Sequence, residues 1–256
     1  VSDEELAEAV KKDIQTSVFT GEGHRKVWSR LRFRKHLVVG RNRVLRIMRE
    51  HNLLSPARVP KRPASTHTAC LATEIPNDMW GTDGTKFYTQ EDGWCWLFAV
   101  VDHFNSEALG WHISKHGDRF QALEPLRQAV RQEFGSYERG IAASLKLRMD
   151  NGSQYTSGVF EDELEFLGIG ASFTEPYSPE SNGISERFFR TLKEQAVWGH
   201  AFRNIDEAKK VIGEFIELYN TEWLLQRLLY RSPREAKISY NLNRTTQTLV
   251  SNQLVA

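Results

Sequence analysis

An α/β fold is what the 256 residues predict: a mixed five-stranded sheet with flanking helices, preceded by a small all-helical unit. Three observations carry this reading. Up to residue 56 the apolar residues recur at helical spacing only. From Met79 onward strand-like and helix-like stretches alternate, the order expected when helices pack on a sheet. The charge divides at the same place. Between His24 and Arg62 stand 13 Lys plus Arg and one acid, Glu50, so a segment of +12 is joined to a remainder of −11, although the whole chain sums to +1. Such asymmetry suits an anionic polymer as partner for the basic part, nucleic acid first among them. Taken alone, a charge run is about as often a solvated face.

Ser2-Asp-Glu-Glu opens the first helix, with Ser2 as N-cap and acids in the first turn, and Leu6, Val10 and Ile14 recur every four residues. Gly21 and Gly23 interrupt it. A second helix, from about His24 to Lys35, turns Val27 and Leu31 inward and most of its arginines outward. A third begins near Gly40 or Arg41, with Val44, Leu45 and Met48 on one side and Arg41, Asn42, Arg43 and Arg46 on the other. Helix, short turn and basic helix is the order of a helix-turn-helix reader, whose last helix enters the major groove. A basic three-helix bundle touching only phosphates fits the same periodicity. Residues 1–56 therefore form the expected helix-turn-helix domain, and residues 57–74, with Pro60 and Pro63 among basic and polar neighbours, an extended linker.

Met79 to Thr89 is rich in aromatic and β-branched residues, and Trp94 to Asp102 is a nearly unbroken apolar run, as in a strand buried on both faces. Leu109, Trp111 and Ile113 alternate with more polar neighbours. These three strands make an antiparallel meander. Asp118 to Phe134 reads as a helix, with Pro125 in its first turns or at a kink. Leu145 to Asp150 is a fourth strand, Val159 to Leu167 a helix, Ala171 to Thr174 a fifth strand, and Ser178 to about Gly199 a loop and helix. Tryptophans 80, 94, 96 and 111 are expected in the core. Residues 75–200 form the catalytic-sized domain. Residues 201–256 form a C-terminal extension with an amphipathic helix over Asn204 to Tyr219 and a polar tail beyond Tyr240, frayed or docked on a partner.

Several function classes are disfavoured. Cys70 and Cys95 form neither a CxxC pair nor a disulfide framework, which fits a reducing compartment. The longest apolar run, Trp94 to Val101, falls far short of the roughly 20 residues of a membrane helix. With no signal peptide, the protein reads as soluble, cytoplasmic and without a membrane partner. The chain opens on Val1 instead of Met, which fits a fragment or processed segment of a longer product.

The chemistry is concentrated in acids. Asp83 lies within an apolar and aromatic strand, where a carboxylate is usually paired or metal-bound. Asp150 ends the fourth strand at an Asn151-Gly152 turn. Glu186 follows Asp150 with 35 residues between them, and Lys193 comes seven positions later. Seven residues are two helical turns, so Glu186 and Lys193 share one helix face about 10 Å apart along the axis. Ile184, Phe188 and Leu192 form the core-facing stripe. Asp102 reads more readily as a structural cap of the turn to Asn105. Asp78, Asp92, Asp118, Glu180 and Glu194 read as solvated carboxylates, and the scattered histidines as ordinary.

These motifs, in this order, resemble a known family: Trp80-x-x-Asp83, Asp150-Asn-Gly-Ser-Gln-Tyr-Thr-Ser157 and Pro179-Glu-Ser-Asn-Gly-Ile-Ser-Glu186-Arg-Phe-Phe-Arg-Thr-Leu-Lys193. They are similar to the integrase-type, RNase H-like core of bacterial insertion-sequence transposases of the DDE type, above all the second reading frame of the third insertion-sequence family. Gly23 to Leu54 resembles that family's helix-turn-helix segment, and Phe215 to Asn220 with Arg231 to Ala236 its C-terminal signature. One departure is Thr221-Glu-Trp-Leu-Leu-Gln-Arg227, where many members carry an Arg-Pro-His type sequence. The His-His-Cys-Cys zinc module of retroviral integrases is absent from the sequence.

The resemblance implies catalytic, metal-holding roles for Asp83, Asp150 and Glu186, and DNA contacts from Lys193, Asn182, Gln154, Arg41, Asn42, Arg43 and Arg46. Asn182 has a second reading, as a group ordering the preceding loop. Three carboxylates converging within about 4 Å would repel by roughly 4 kcal/mol per pair at an effective dielectric near 20, which favours bound cations. Hard oxygen ligands suit Mg²⁺, with Mn²⁺ as a substitute, and two such ions would clamp a phosphodiester. The expected activity is metal-dependent cleavage at transposon ends and strand transfer by the 3′-hydroxyl. The expected partners are double-stranded DNA (ends and target), other copies of the chain on DNA, and an upstream-frame helix-turn-helix protein or fusion; a nucleoid-associated place in a bacterial cell follows. An RNase H-like nuclease without strand transfer, or a domesticated protein that only binds DNA, are the alternatives.

Overall fold

The computed structural model describes residues 1–56, 72–174 and 182–255, with side chains through residue 246. Residues 57–71 of the expected linker, with Cys70, and the loop 175–181, with Glu180, lie outside the described residues. The chain divides into two compact units, residues 1–56 with Leu224–Arg231 and the residues around the sheet.

In the first unit α1 (Asp3–Thr16) begins with a capping box. Ser2 Oγ accepts from the Glu5 N–H at 3.1 Å, and the Glu5 carboxylate accepts from the Ser2 N–H at 2.7 Å. This satisfies donors that a helix start leaves open. α2 (His24–Ser29) runs into a π-helical turn over Arg30–Arg34, and α3 (Arg41–Glu50) follows. Leu6, Val10, Val27, Leu31, Val44, Ile47 and Met48 make the core. Leu45, expected inward, is only half-buried, and Ile47 takes its place. On a 3.6-residue repeat, Ile47 and Met48 share the stripe of Val44, whereas Leu45 sits one position off it.

Asp13 is a buried acid that the periodicity left on an unremarkable helix face. Its carboxylate accepts from Arg30 Nη2 at 2.7 Å and pairs with Lys35 Nζ at 2.9 Å. Residues 224–231, from the divergent C-terminal stretch, also belong here. They close a 3₁₀ turn over Gln226–Leu228, and the Tyr230 ring meets Trp28 edge-on at 5.3 Å.

The second unit carries the sheet, in the order β3-β2-β1-β4-β5. β1 (Met79–Thr89), β2 (Gly93–Asp102) and β3 (Ala108–Ser114) form the antiparallel meander, while β4 (Lys146–Met149) and β5 (Gly170–Phe173) join in parallel. α4 (Arg119–Phe134), capped by Asp118, continues through Pro125 and ends on Gly135. It packs close on β3, because a Cβ at Gly110 would collide with the Pro125 carbonyl. α5 (Gly158–Leu167) packs against β5 and α4. α6 (Gly183–Leu192) runs into a second π-helical turn over Lys193–Val197, and α7 (Ile205–Glu222) and α8 (Pro233–Val255) follow. Trp80, Phe98, Leu123, Leu126, Leu147 and Phe160 lie at the centre of the core.

One expectation fails in this unit, at Trp94. The tail beyond Tyr240 is helical through Val255. α8 is tied to the sheet by Lys237, which pairs with Glu107 at 3.7 Å and also with Glu133. Trp94 is 64% exposed, not core. It faces Tyr88 across the β1–β2 hairpin end, where both rings stand in water. No described helix is long and apolar enough to cross a membrane.

Candidate active site

The parallel pairing of β1 with β4 positions two of the acids. Met79, Trp80 and Gly81 pair with Lys146, Leu147 and Arg148. Extending that register by two residues brings Asp83 level with Asp150, just where β4 ends. α6 supplies the third acid, and its approach depends on Gly81. A Cβ at Gly81 would meet Ser185 Oγ, His103 Nε2 and Asn182 Oδ1. A bare backbone therefore lets the first turn of α6 lie on β1 two residues from Asp83, and Glu186 follows Ser185 directly. Ile184, Phe188 and Leu192 are buried, which leaves Glu186 exposed on the opposite side.

The electrostatics tie these groups together. Asp83 has its pKa pushed up to about 6, chiefly by burial, with the charges of Asp150 and Glu186 adding to it; the Gly84 N–H and Lys193 pull the other way. Glu186 is raised as well, through partial burial of its carboxyl. Asp83 accepts a hydrogen bond from the Gly84 N–H at 2.7 Å, and Asp150 one from the Gly152 N–H at 2.9 Å. Among the described residues, no three His, Cys, Asp or Glu side chains stand close enough to hold one metal ion as placed. The donor chemistry nevertheless fits a hard divalent cation. A half-buried carboxylate raised by desolvation and by two neighbouring carboxylates is relieved by positive charge.

Asn182 is 6% exposed, and its Nδ2 donates to the Thr82 carbonyl at 3.4 Å. That bond ties the start of α6 to β1. Gln154 sits against Gly152 in the turn after Asp150. Arg41 and Asn42 are exposed on α3 of the other unit. Arg43 and Arg46 are engaged there by Asp3, at 2.7 and 2.6 Å, and Arg46 also pairs with Glu50.

Tyr155 escaped the sequence reading. It is fully buried, and burial together with the charges of Asp83 and Asp150 pushes its phenol pKa up, with Thr82 and Gln154 beside the hydroxyl. It is a neutral floor under the two aspartates. Its place in the run after Asp150 was the available signal. Asp102 caps its turn as expected, accepting from the Phe104 N–H at 2.7 Å.

The sheet, in the order β3-β2-β1-β4-β5, thus carries one acid inside β1, a second just past the end of β4 and a third on the helix that crosses β1. Family models for an integrase core domain match residues 73–179 and 167–233, and one for an HTH-like domain matches residues 2–61. Transposase InsD for insertion element IS2A/D/F/H/I/K of Escherichia coli is 32% identical over 223 residues, covering 83% of this chain and 72% of its own length. The InsD transposase of element IS2-9 from strain K12 shows the same identity, with 71% of its length covered. Among solved structures, a chain of the simian T-cell lymphotropic virus intasome in complex with PP2A regulatory subunit B56 gamma superposes with a TM-score of 0.54 at 18% identity. That match covers 85% of this chain and 71% of the other and speaks to fold alone.

The chain belongs to the insertion-element transposases, enzymes of the DDE polynucleotidyl transferase type. Its fold is the RNase H-like one.

Proposed function

We propose that Asp83, Asp150 and Glu186 are the catalytic acids of a reaction that cleaves DNA at the ends of an insertion element and joins the freed 3′-hydroxyl to a target phosphodiester. The single observation that carries this is a half-buried Asp83 whose pKa is raised in the field of the other two acids. Together they would hold Mg²⁺, or Mn²⁺ in its place, most simply as two ions. Such ions supply Lewis acidity for the attacking and leaving oxygens. The protein's own contribution is placement. The β1–β4 register sets Asp83 beside Asp150, Gly81 admits α6, and Tyr155 backs the pair with a neutral ring. Lys193 sits where it stabilises a bound phosphate, since its charge already reaches Asp83.

Residues 1–56 bind the ends, with α3 as the reading helix. Arg41 and Asn42 make the most available contacts, because Arg43 and Arg46 are drawn toward Asp3. Arg41→Ala is expected to weaken binding across sequences and to lower the salt dependence of affinity by about one phosphate contact. Titrating duplex DNA at several salt concentrations checks this, and an unchanged slope would remove Arg41 from the interface. The protein works on DNA as a homo-oligomer, with an upstream-frame helix-turn-helix protein or fused segment completing recognition.

The direct test incubates purified protein with an element-end duplex and Mg²⁺ or Mn²⁺. Cleaved and joined products are expected. Hydrolysis with no joined product would instead favour a nuclease of the same fold.

The raised pKa of Asp83 has a consequence without metal. Between the ordinary carboxylate range and about pH 6 the folded protein keeps a proton that the unfolded chain has released. Stability therefore falls as pH rises through that window. Asp83→Asn removes this cost, so in chelator-treated buffer its melting temperature should exceed that of the wild type by a margin that grows from pH 4 to pH 7. Parallel melting curves would refute the shift.

A further inference from the structure

Beside the acids lies a groove of about 500 Å³ whose lining includes Lys86, Tyr88, Trp94, Lys193, Trp198 and His200. Its position follows from the sheet. β4 pairs with β1 only as far as Gly81, so the distal half of β1 has no strand partner on that side among the described residues. The π-helical turn Lys193–Val197 and the residues after it supply the other wall. Phe202 and Phe87 meet edge-on at 5.7 Å and form an apolar floor. Lys193 belongs both to this groove and to the neighbourhood of Asp83.

The composition of the rim is what needs an explanation. Trp198 is 68% exposed, Trp94 64% and Tyr88 56%. Three large rings left in water around one groove are not the scattered apolar surface of an ordinary protein. The groove carries two lysines and no acid. An occupant must therefore offer flat apolar faces and negative charge together. Unpaired nucleotides do so, and aromatic side chains bind them by stacking with little regard to sequence.

We propose that this groove binds unpaired nucleotides of the DNA strand adjoining the scissile phosphate, with Trp198 and Trp94 stacking on bases and Lys86 and Lys193 facing the backbone. A duplex ending whose terminal pairs are opened at the acids would feed its freed bases along the open edge of β1. The proposal rests on the assignment of the acids as the DNA-cleaving site, but its test needs no catalysis.

The experiment measures binding of the full chain, without divalent metal, to two duplexes of one sequence, one blunt and one with an unpaired tail carrying 2-aminopurine. The wild type should bind the tailed duplex about 10-fold more tightly and quench the 2-aminopurine, a preference of the size that stacking gives. Trp198→Ala and Trp94→Ala should lose the preference and the quenching while binding blunt duplex as before. Trp198→Phe should restore both in part, which separates a stacking role from misfolding. Equal loss on both duplexes, or no loss on either, overturns the proposal. So does a Trp198→Ala protein that keeps the tail preference but loses oligomer mass in light scattering, which would give the groove to a second copy of the chain. If Glu186→Gln still cleaves DNA while Trp198→Ala loses the preference, the acid assignment fails and the groove stands.

Discussion

Glu186→Gln is expected to abolish both cleavage and joining while leaving affinity for element-end DNA unchanged. The substitution keeps the shape of the side chain and removes its charge. Glu186 is exposed on α6, so the fold loses nothing that packs. Charge facing Asp83 is lost, and with it a third of the proposed donor set. The expected fall in rate is at least about 10²–10³-fold, the order lost with one group that stabilises a transition state. Glu194→Gln serves as the control. That acid lies on the following turn and pairs with Arg190 at 2.9 Å, so its loss should leave the rate near the wild-type value. A Glu186→Gln protein that still joins DNA ends would remove Glu186 from the chemistry, whatever its place beside Asp83.

Asp13→Ala is expected to have the largest effect on stability, confined to the helical unit. Asp13 is 2% exposed and accepts from Arg30 and Lys35. Removing one partner of a buried pair leaves the other charge uncompensated, at a cost of about 3–5 kcal/mol. Arg30 keeps Glu22 as a second partner, which places the expected loss at the lower end, near 3 kcal/mol. For a unit of this size that is a drop in melting temperature of more than about 10 °C. Circular dichroism on heating, with DNA affinity followed in parallel, should show the helical unit melting early and end binding lost with it. A melting curve that does not move would show that Arg30 is adequately held by Glu22 alone.

What the sequence disclosed and what it hid divide along the range of the interactions. The unbroken apolar run of β2 and the alternation in β3 are local patterns, and they fell where the strands are. The N-cap at Ser2 is local too. The spacing of Asp150, Glu186 and Lys193 could be read as one strand end and one helix face, and the helix does bury Ile184, Phe188 and Leu192 as that face requires. Asp13 was illegible because its partners come from another helix, 17 and 22 positions on. Trp94 misled because a strand's composition does not say which of its residues stand in water at the hairpin end. Tyr155 and Gly81 matter through what lies above them, and only the assembled sheet with α6 brings those neighbours.

The helix that carries Glu186 ends in a turn holding one residue more than an α-helix requires. For the length of the sequence, that surplus acts as slack. Lineages that gain or lose a single residue between Glu194 and Val197 would exchange a π turn for an α turn or the reverse. The interval from Glu186 to Lys193 would stay intact. Everything after the turn, beginning with Trp198, would keep its facing, because the exchange of turn types absorbs the one-residue difference locally. Relatives with that one-residue difference should therefore keep both the same chemistry and the same wall toward the nucleotides beside it.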